Sequence, residues 1–232
     1  MSTIQHVEVV VPACNEQGRI GACLRSLSAA VEHLTVRRPE MSCGITVVLD
    51  CCTDGTATVV RGFGVHALSA EAGCVGAARR IGIADVISRV AQGGIAQEQL
   101  WIANTDADTV VAPTWLERQL TLANSGLDAV IGTVTPRDVS PQIYQLWRRR
   151  YQLTENHHHV HGANLGFRSS VYSSAGGFRD AQSEEDVDLV ARIRQVTTRW
   201  VATHQTSVET SGRQLSRVEG GFASYVAALE AM

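Results

Sequence analysis

The chain has 232 residues, of which 44% are hydrophobic and 19% charged, and its formal net charge at pH 7 is −3. This length and composition predict one globular domain with a core of its own, and the small negative charge makes nucleic acid an unfavourable partner. All 20 basic side chains are arginines, which excludes chemistry that needs a lysine, such as a P-loop or a Schiff base.

Signals for membrane insertion or export are absent from the amino-acid pattern. No apolar run approaches the roughly 20 residues of a membrane-spanning helix, and the first residues lack a basic segment followed by an apolar one. We therefore expect a cytoplasmic protein without a transmembrane segment. Arg148, Arg149 and Arg150 could contact anionic lipid at a membrane surface, although three arginines on a helix are usually a solvated face.

The first half of the chain alternates apolar, β-branched runs with segments of helical periodicity. The runs predict strands at residues 7–11, 45–49, 65–68 and 100–104, and helices follow the first strand and cover 75–90. This alternation is typical of βαβ units. It predicts an α/β sandwich whose central, mostly parallel sheet is flanked by helices.

The second half continues with a helix that begins near Pro113 and ends near Gly126, and then a strand at 129–133. Helices are predicted at 140–153, 184–195 and 219–231, with a short helix between residues 168 and 176. Residues 154–167 and 207–217 are predicted to be polar and irregular. Since no linker or internal repeat interrupts the chain, residues 1–232 are predicted to form a single domain.

Polar segments follow the first, second and fourth predicted strands. They contain Pro12, Asn15 and Glu16, then Asp50, then Asp106 and Asp108. Any one of these segments is explained by turn chemistry, because Asn, Asp, Thr and Gly commonly begin and end helices. The carboxyl ends of parallel strands meet at one edge, however, and ligands bind in the crevice there. Together the three segments favour a binding site.

Asp106 and Asp108 are two residues apart, which in an extended segment directs both carboxylates to the same side. They repel each other unless a cation lies near them. Hard oxygen ligands of this kind suit Mg²⁺ or Mn²⁺, completed by phosphate oxygens of a substrate. The simpler explanation is an Asx turn ahead of the next helix.

A second acidic group places four carboxylates within residues 184–188. Crowding raises carboxyl pKa values, which suits a general base that takes a proton from a hydroxyl group. An acidic first turn that complements a helix dipole explains part of the same pattern. Just before it, residues 162–168 contain glycines that permit close approach of the backbone to a ligand.

Four histidines stand close together at positions 157, 158, 159 and 161. They do not predict a zinc site, because consecutive histidines do not converge on one ion and no Cys or Glu spacing accompanies them. We expect a mobile polar loop over the acceptor side of a site.

Taken in order, these segments resemble family 2 glycosyltransferases from about residue 7 to residue 195. The resemblance is carried by P-A-C-N-E at 12–16, D-C-C-T-D-G-T at 50–56, a loose G-x-x-x-A-R at 74–79, D-A-D at 106–108, G-A-N-L-G-F-R at 162–168, G-G-F at 176–178 and E-D-V-D-L at 185–189. It implies the GT-A fold, a Rossmann-like α/β sandwich. It also implies a nucleotide-sugar half at about 1–110 and an acceptor half at about 111–232.

The resemblance also assigns roles to individual residues. The nucleotide-binding residues are Pro12, Asn15, Glu16, Asp50, Arg79 and Asp106; the metal ligands are Asp106, Asp108 and His204, for Mg²⁺ or Mn²⁺; the catalytic residues are Asp186 as base, with Glu185 beside it; and the acceptor side contains Gly162, Ala163 and Asn164.

The function implied is a metal-dependent, inverting glycosyltransferase that moves a single sugar from a nucleoside diphosphate sugar to an acceptor hydroxyl. The acceptor is a carbohydrate, a lipid-linked molecule or a small molecule. Leu49, Cys51 and Cys52 depart from the family pattern, so a catalytically degenerate nucleotide-sugar-binding module is the alternative. A sugar-phosphate nucleotidyltransferase is disfavoured, because the glycine-rich N-terminal loop with Arg and Lys is absent.

Overall fold

Strands and helices alternate through the computed structural model, which describes residues 2–151, 153–181 and 183–212. The first half forms β1 (His6–Ala13), α1 (Ile20–Arg37), β2 (Ser42–Asp50), α2 (Thr56–Arg61), β3 (His66–Ala70), α3 (Val75–Gln92) and β4 (Leu100–Asn104). The second half forms β5 (Thr109–Val110), α4 (Trp115–Asn124), β6 (Ala129–Arg137), α5 (Pro141–Arg150), β7 (Leu165–Arg168), α6 (Ser169–Ser174), α7 (Glu185–Val196) and β8 (Trp200–Ser211). Single 3-10 turns occur at Gln97–Gln99 and Gly162–Asn164.

One sheet contains the eight described strands, in the order β3-β2-β1-β4-β7-β6-β8-β5. The pairs β1–β2, β2–β3, β1–β4 and β6–β8 are parallel, whereas β7 runs antiparallel to β4 and β6, and β5 runs antiparallel to β8. The predicted α/β fold with a mostly parallel sheet flanked by helices is confirmed. The carboxyl ends of β1, β2, β4, β6 and β8 therefore meet at one edge.

Apolar side chains cover both faces of this sheet. On one face, α1 packs the fully buried Leu24, Leu27 and Leu34 and the partly buried Val31 against the sheet, at the spacings of three and four that the sequence predicts for one helical face. On the other face, α3 buries Ile83 and Val86. Each fully buried side chain of this size contributes about 1.5–3 kcal/mol relative to an exposed one. The sheet is thus a rigid base for the loops at its carboxyl edge.

Three strands differ from the prediction, and one of them is the two-residue β5, for which no strand was predicted. The four-residue β7 lies in a region predicted to be irregular, and the long β8 covers residues of which 207–211 were predicted to be a polar segment. β8 escaped detection because its sequence is largely polar and carries little apolar alternation. The helix predicted at 219–231 lies outside the described residues. No helix in the described part of the chain is both long and apolar enough to cross a bilayer.

Candidate active site

The loops that follow β1 and β2 are bound to each other at the carboxyl edge of the sheet. The side-chain oxygen of Asn15 accepts hydrogen bonds from the backbone N–H groups of Thr53 (2.7 Å) and Asp54 (3.2 Å). Asn15 has φ +51°, a left-handed conformation that asparagine tolerates better than most residues. The backbone N–H of Glu16 donates to Thr56 Oγ1 at 2.8 Å. Two of the predicted nucleotide-binding residues therefore shape one continuous loop pair.

Asp50 ends β2 and is buried, with one carboxylate oxygen turned toward the loop after β3. That oxygen accepts from the backbone N–H groups of Ala72 (2.7 Å) and Gly73 (3.2 Å). Pro12 lies near the end of β1, in register with Val48 of β2. Asp50 thus secures the loop that leads into α3, and its contact with a nucleobase stays a prediction.

Arg79 joins three segments that the sequence singled out separately. This α3 side chain is only 2% exposed, and its guanidinium lies 2.6 Å from Asp106 Oδ1 and 3.5 Å from Glu185 Oε1. It also donates to the carbonyl oxygen of Gly162 at 2.9 Å. Burial disfavours the cation, but Asp106, Glu185 and Asp186 outweigh burial and raise the pKa of Arg79. Besides its predicted nucleotide contact, Arg79 therefore connects the donor, acceptor and base segments.

Gly162 is held on both of its backbone polar groups. Its carbonyl accepts from Arg79, and its N–H donates to Asp186 Oδ2 at 2.5 Å. A Cβ atom at this position would collide with the Arg79 guanidinium. Glycine is required here because the guanidinium packs directly against the backbone.

Asp186 and Glu185 lie in the first turn of α7 but face different surroundings. Glu185 is buried against Arg79, whereas Asp186 is partly exposed and accepts from the N–H groups of Gly162 and Val187. Burial raises the pKa of both carboxyls, and Arg79 opposes the rise. A partly exposed carboxylate with a raised pKa suits a base that must meet an incoming hydroxyl. The geometry therefore separates Asp186 as the accessible group from Glu185 as the partner of Arg79.

Asp106 and Asp108 follow β4 at the same edge. The Asp106 side chain is 36% exposed, and Asp108 is buried beside β8, where Thr210 Oγ1 donates to its Oδ1 at 3.4 Å. Thr109 Oγ1 in turn donates to Thr210 Oγ1 at 3.0 Å. Thr210 is a site residue that sequence reasoning missed, because it belongs to the unpredicted strand β8. A run of β-branched residues was its only signal.

The aspartate pair was tested for its fit to a divalent cation. No group of three His, Cys, Asp or Glu side chains among the described residues is arranged to hold a metal ion by itself. Mg²⁺, however, is commonly bound through one or two carboxylates, with phosphate oxygens and water completing its shell. Two neighbouring aspartates, one of them partly exposed, fit that mode of binding.

His204 has a partner outside the aspartate pair. It is an exposed residue of β8, and its Nδ1 lies 2.8 Å from Glu155 Oε1. The role of His204 as a metal ligand stays a prediction.

Asn164 has a structural function on the predicted acceptor side. Its amide nitrogen donates to the carbonyl oxygens of Thr133 and Thr206, both at 2.7 Å, and its Oδ1 accepts from Trp115 Nε1 at 3.1 Å. These bonds hold the irregularity between β6 and β8 next to Gly132, where a Cβ atom would collide with the Asn164 amide. Asn164 therefore fixes the Gly162–Asn164 turn, in which Ala163 is also buried.

The histidine-rich segment is irregular, as predicted, and most of its rings are packed against one another, whereas its mobility stays a prediction. We call Tyr151, His157, His159 and His161 the imidazole stack. The Tyr151 and His159 rings lie 3.8 Å apart at their centroids, and the Tyr151 hydroxyl lies 2.6 Å from His161 Nε2. His157 is buried, whereas His158 is exposed. The stack ends directly before Gly162, beside the predicted base.

Acidification is expected to destabilise the protein through His161. Burial, with His159 and His157, lowers the pKa of His161 to about 3, whereas an unfolded histidine titrates near about 6.5. As the pH falls, the unfolded chain therefore binds the proton before the folded protein does. Stability is lost once the pH is below the pKa of the unfolded histidine. Between pH 7 and pH 5 the unfolding free energy should fall by up to about 2 kcal/mol through this group, measured by denaturant titration.

The variant His161→Phe keeps an aromatic ring that cannot be protonated, so its stability should depend less on pH. The exposed neighbour provides the control, since His158→Gln should keep the wild-type pH dependence. An unchanged slope in His161→Phe would show that other groups cause the acid sensitivity.

Comparison with known proteins gives a family match and a set of structural matches. The model of the family described as "Glycosyl transferase family 2" matches residues 8–181. No curated protein matches the sequence significantly.

The structural matches share the fold at low sequence identity. S. aureus TarS 1–349 in complex with UDP has a TM-score of 0.63 and 16% identity, over 97% of this chain and 64% of that one. The Pyrobaculum calidifontis mannosyltransferase in complex with GDP-Man and Mn²⁺ has a TM-score of 0.61 and 18% identity, over 97% of this chain and 60% of that one. M. tuberculosis glucosyl-3-phosphoglycerate synthase with Mg²⁺ and UDP has a TM-score of 0.57 and 14% identity, over 97% of this chain and 78% of that one. The chain thus spans less than two thirds of the length of the first two proteins.

Proposed function

We propose a function that follows from the family to which this chain belongs, glycosyl transferase family 2. The protein transfers a single sugar from a nucleoside diphosphate sugar to an acceptor hydroxyl, with inversion at the anomeric carbon. The observation that carries the proposal is the junction at Arg79. One buried guanidinium joins Asp106 of the donor segment, Glu185 beside the base and the carbonyl of Gly162. Such a junction holds a nucleotide-phosphate site and a proton acceptor in fixed positions relative to each other, as group transfer requires.

Asp186 removes the proton from the acceptor hydroxyl in the proposed mechanism. As the O–H bond breaks, the acceptor oxygen forms a bond to the anomeric carbon, and the bond from that carbon to the diphosphate oxygen breaks. The Gly162 and Val187 N–H groups orient the Asp186 carboxylate and keep it from rotating. Because attack comes from the side opposite to the leaving group, the configuration inverts.

Asp106 and Asp108 are the residues that would hold Mg²⁺ or Mn²⁺. A divalent cation supplies positive charge to the diphosphate when bound. Solved proteins of the same fold support this assignment by analogy, since one is a complex with Mg²⁺ and UDP and another a complex with GDP-Man and Mn²⁺. Arg79 orients the Asp106 carboxylate through the 2.6 Å contact.

The proposal divides the chain into a nucleotide-sugar half at about residues 1–110 and an acceptor half at about 111–232. The donor is a nucleoside diphosphate sugar, and the acceptor is a carbohydrate, a lipid-linked molecule or a small molecule. The cytoplasmic location stays a prediction from the sequence. Contact of Arg148–Arg150 with a membrane surface likewise stays a prediction.

The second candidate is a nucleotide-sugar-binding module without turnover. Cys51 stands in a left-handed conformation, with φ +49°, at the point where the 50–56 segment departs from the family pattern. A changed loop at the donor edge can preserve binding while impairing transfer. Catalytic turnover by the wild-type protein excludes this candidate.

Thermal unfolding with a panel of UDP, GDP, CDP and dTDP tests the donor site. Each nucleotide should be combined with Mn²⁺, with Mg²⁺ and with EDTA. A nucleotide at about 100 times its dissociation constant stabilises the folded state by about 2.7 kcal/mol, which raises the Tm of a domain of this size by about 5–10 °C. We expect one base to give this shift with metal and to lose it with EDTA.

Asp108→Ala is the matching variant, and nucleotide should no longer raise its Tm even when metal is present. The Tm of Asp108→Ala without nucleotide provides the reference. If no nucleotide raises the Tm under any metal condition, the proposed donor site is overturned.

A further inference from the structure

A diphosphate carries several negative charges, and this chain has only arginine with which to meet them. Arg79 is unsuited to that task as a mobile contact, because it is buried and its contacts to Asp106, Glu185 and Gly162 occupy its guanidinium. In this lysine-free chain, another arginine near the aspartate pair is the side chain best suited to contact the diphosphate directly, beside any bound cation.

Arg137 stands at the carboxyl end of β6, on the same edge as Asp108. Its register partner on β8 is Ser211, and the preceding β8 residue is Thr210, whose hydroxyl donates to Asp108. The carbonyl of Arg137 accepts from the Gly212 N–H at 2.9 Å, so its backbone is fixed next to this strand. Strand pairing thus holds Arg137 one strand away from a residue that touches the aspartate pair.

The ion pair that Arg137 forms with Asp138 is weak. Its Nε lies 3.5 Å from Asp138 Oδ2, and the Asp138 side chain is 71% exposed. Nε is nevertheless buried and makes no hydrogen bond with the described residues. Because this contact is long and the Asp138 carboxylate is exposed to water, it holds the guanidinium weakly, and exchange of that carboxylate for a phosphate oxygen costs little. A guanidinium also suits phosphate, because it donates two parallel N–H bonds.

We propose that Arg137 binds the diphosphate of the nucleotide at the Asp106 and Asp108 edge. The inference rests on the proposed function and names one of its binding residues. In a lysine-free chain, Arg137 provides the protein's own positive charge to the phosphates, in addition to any bound cation. Arg137 therefore strengthens the binding of a nucleoside diphosphate but not that of a nucleoside, which has no phosphate.

Isothermal titration calorimetry of the whole chain in MnCl₂ tests this assignment. Two probes are used. The first is whichever of UDP, GDP, CDP and dTDP stabilises the wild type most, and the second is the nucleoside with the same base. Loss of a charge-assisted hydrogen bond of about 1.5–3 kcal/mol should weaken diphosphate binding about 10- to 100-fold in Arg137→Gln. Nucleoside binding should stay within about twofold, because a nucleoside has no phosphate oxygen to accept the lost hydrogen bond.

Two further variants make the outcome specific. Arg137→Lys keeps the charge but loses the fork, so its diphosphate affinity should lie between those of wild type and Arg137→Gln. Arg37→Gln removes an equally charged, exposed residue at the end of α1 that is paired with Glu117, and should bind diphosphate as the wild type does.

The possible results separate the assignment from the proposed function. If the wild type binds diphosphate and both Arg137 variants bind it equally well, the role of Arg137 is overturned and the proposed function stands. A wild type that binds no nucleotide overturns the proposed function and this assignment with it. Equal weakening of nucleoside and diphosphate in Arg137→Gln, or an Arg137→Lys no better than Arg137→Gln, also overturns the phosphate contact.

Discussion

Asp186→Asn is expected to reduce sugar transfer about a thousandfold while nucleoside diphosphate binding stays within about twofold of wild type. General-base catalysis contributes about 10²- to 10⁴-fold to such rates, and an amide cannot take up the hydroxyl proton. The substitution keeps the size of the side chain and one oxygen to accept from Gly162 or Val187. The measurement is initial-rate kinetics with the nucleotide sugar whose base stabilises the protein, together with calorimetric binding of the diphosphate.

Asp188→Asn is the matched control, because it removes a carboxylate from the same turn of α7. Asp188 is 36% exposed and paired with Arg192 and Arg179, away from Gly162. Its activity should remain within a few-fold of wild type. If Asp186→Asn keeps wild-type activity, or if both variants lose it equally, Asp186 is not the base.

The pH dependence of the reaction gives a second readout for Asp186. Burial raises the pKa of its carboxyl above the ordinary aspartate value, and Arg79 opposes this rise. A base acts only when deprotonated, so kcat should fall as the pH decreases through that raised pKa. The acidic limb should therefore lie at a higher pH than an ordinary aspartate would give.

Arg79→Met is expected to lower the unfolding free energy by about 3–5 kcal/mol, the cost of leaving buried carboxylates without their partner. Glu185 is buried against the guanidinium, and Asp106 and Asp186 act on the same charge. Methionine fills much of the volume of the arginine stem, so the loss reports mainly on charge. For a domain of this size the Tm should fall by about 10 °C, measured by calorimetry or circular dichroism.

Arg80→Met provides the control on the next residue of α3. Arg80 is exposed and paired with the exposed Asp180 at 2.6 Å, so its loss should cost no more than about 1 kcal/mol. The deficit of Arg79→Met should shrink in acid, because protonation of the orphaned carboxyls removes the uncompensated charge. Equal melting temperatures of Arg79→Met and Arg80→Met would contradict the central place of Arg79.

Most of the first half of the fold was predictable from the sequence. The strand predicted at residues 100–104 coincides with β4, and the apolar stripe of Leu24, Leu27 and Leu34 lies on the buried face of α1. Local periodicity is sufficient there, because these segments repeat apolar residues at the spacing of a strand or a helix. The strand β8 was not predictable in this way, since its sequence is largely polar and its buried positions do not alternate regularly.

The sequence by itself determined the fold class, the family resemblance and the identity of the acidic residues, because these depend on residue type, order and local spacing. Only the tertiary structure decided which of them meet. Arg79 and Asp106 are 27 residues apart, and Asp108 and Thr210 are 102 apart. The tertiary structure also separated Asp186, partly exposed, from the buried Glu185, although both belong to one motif. Burial and partner charges set the pKa of each group, and both arise only when distant segments pack together.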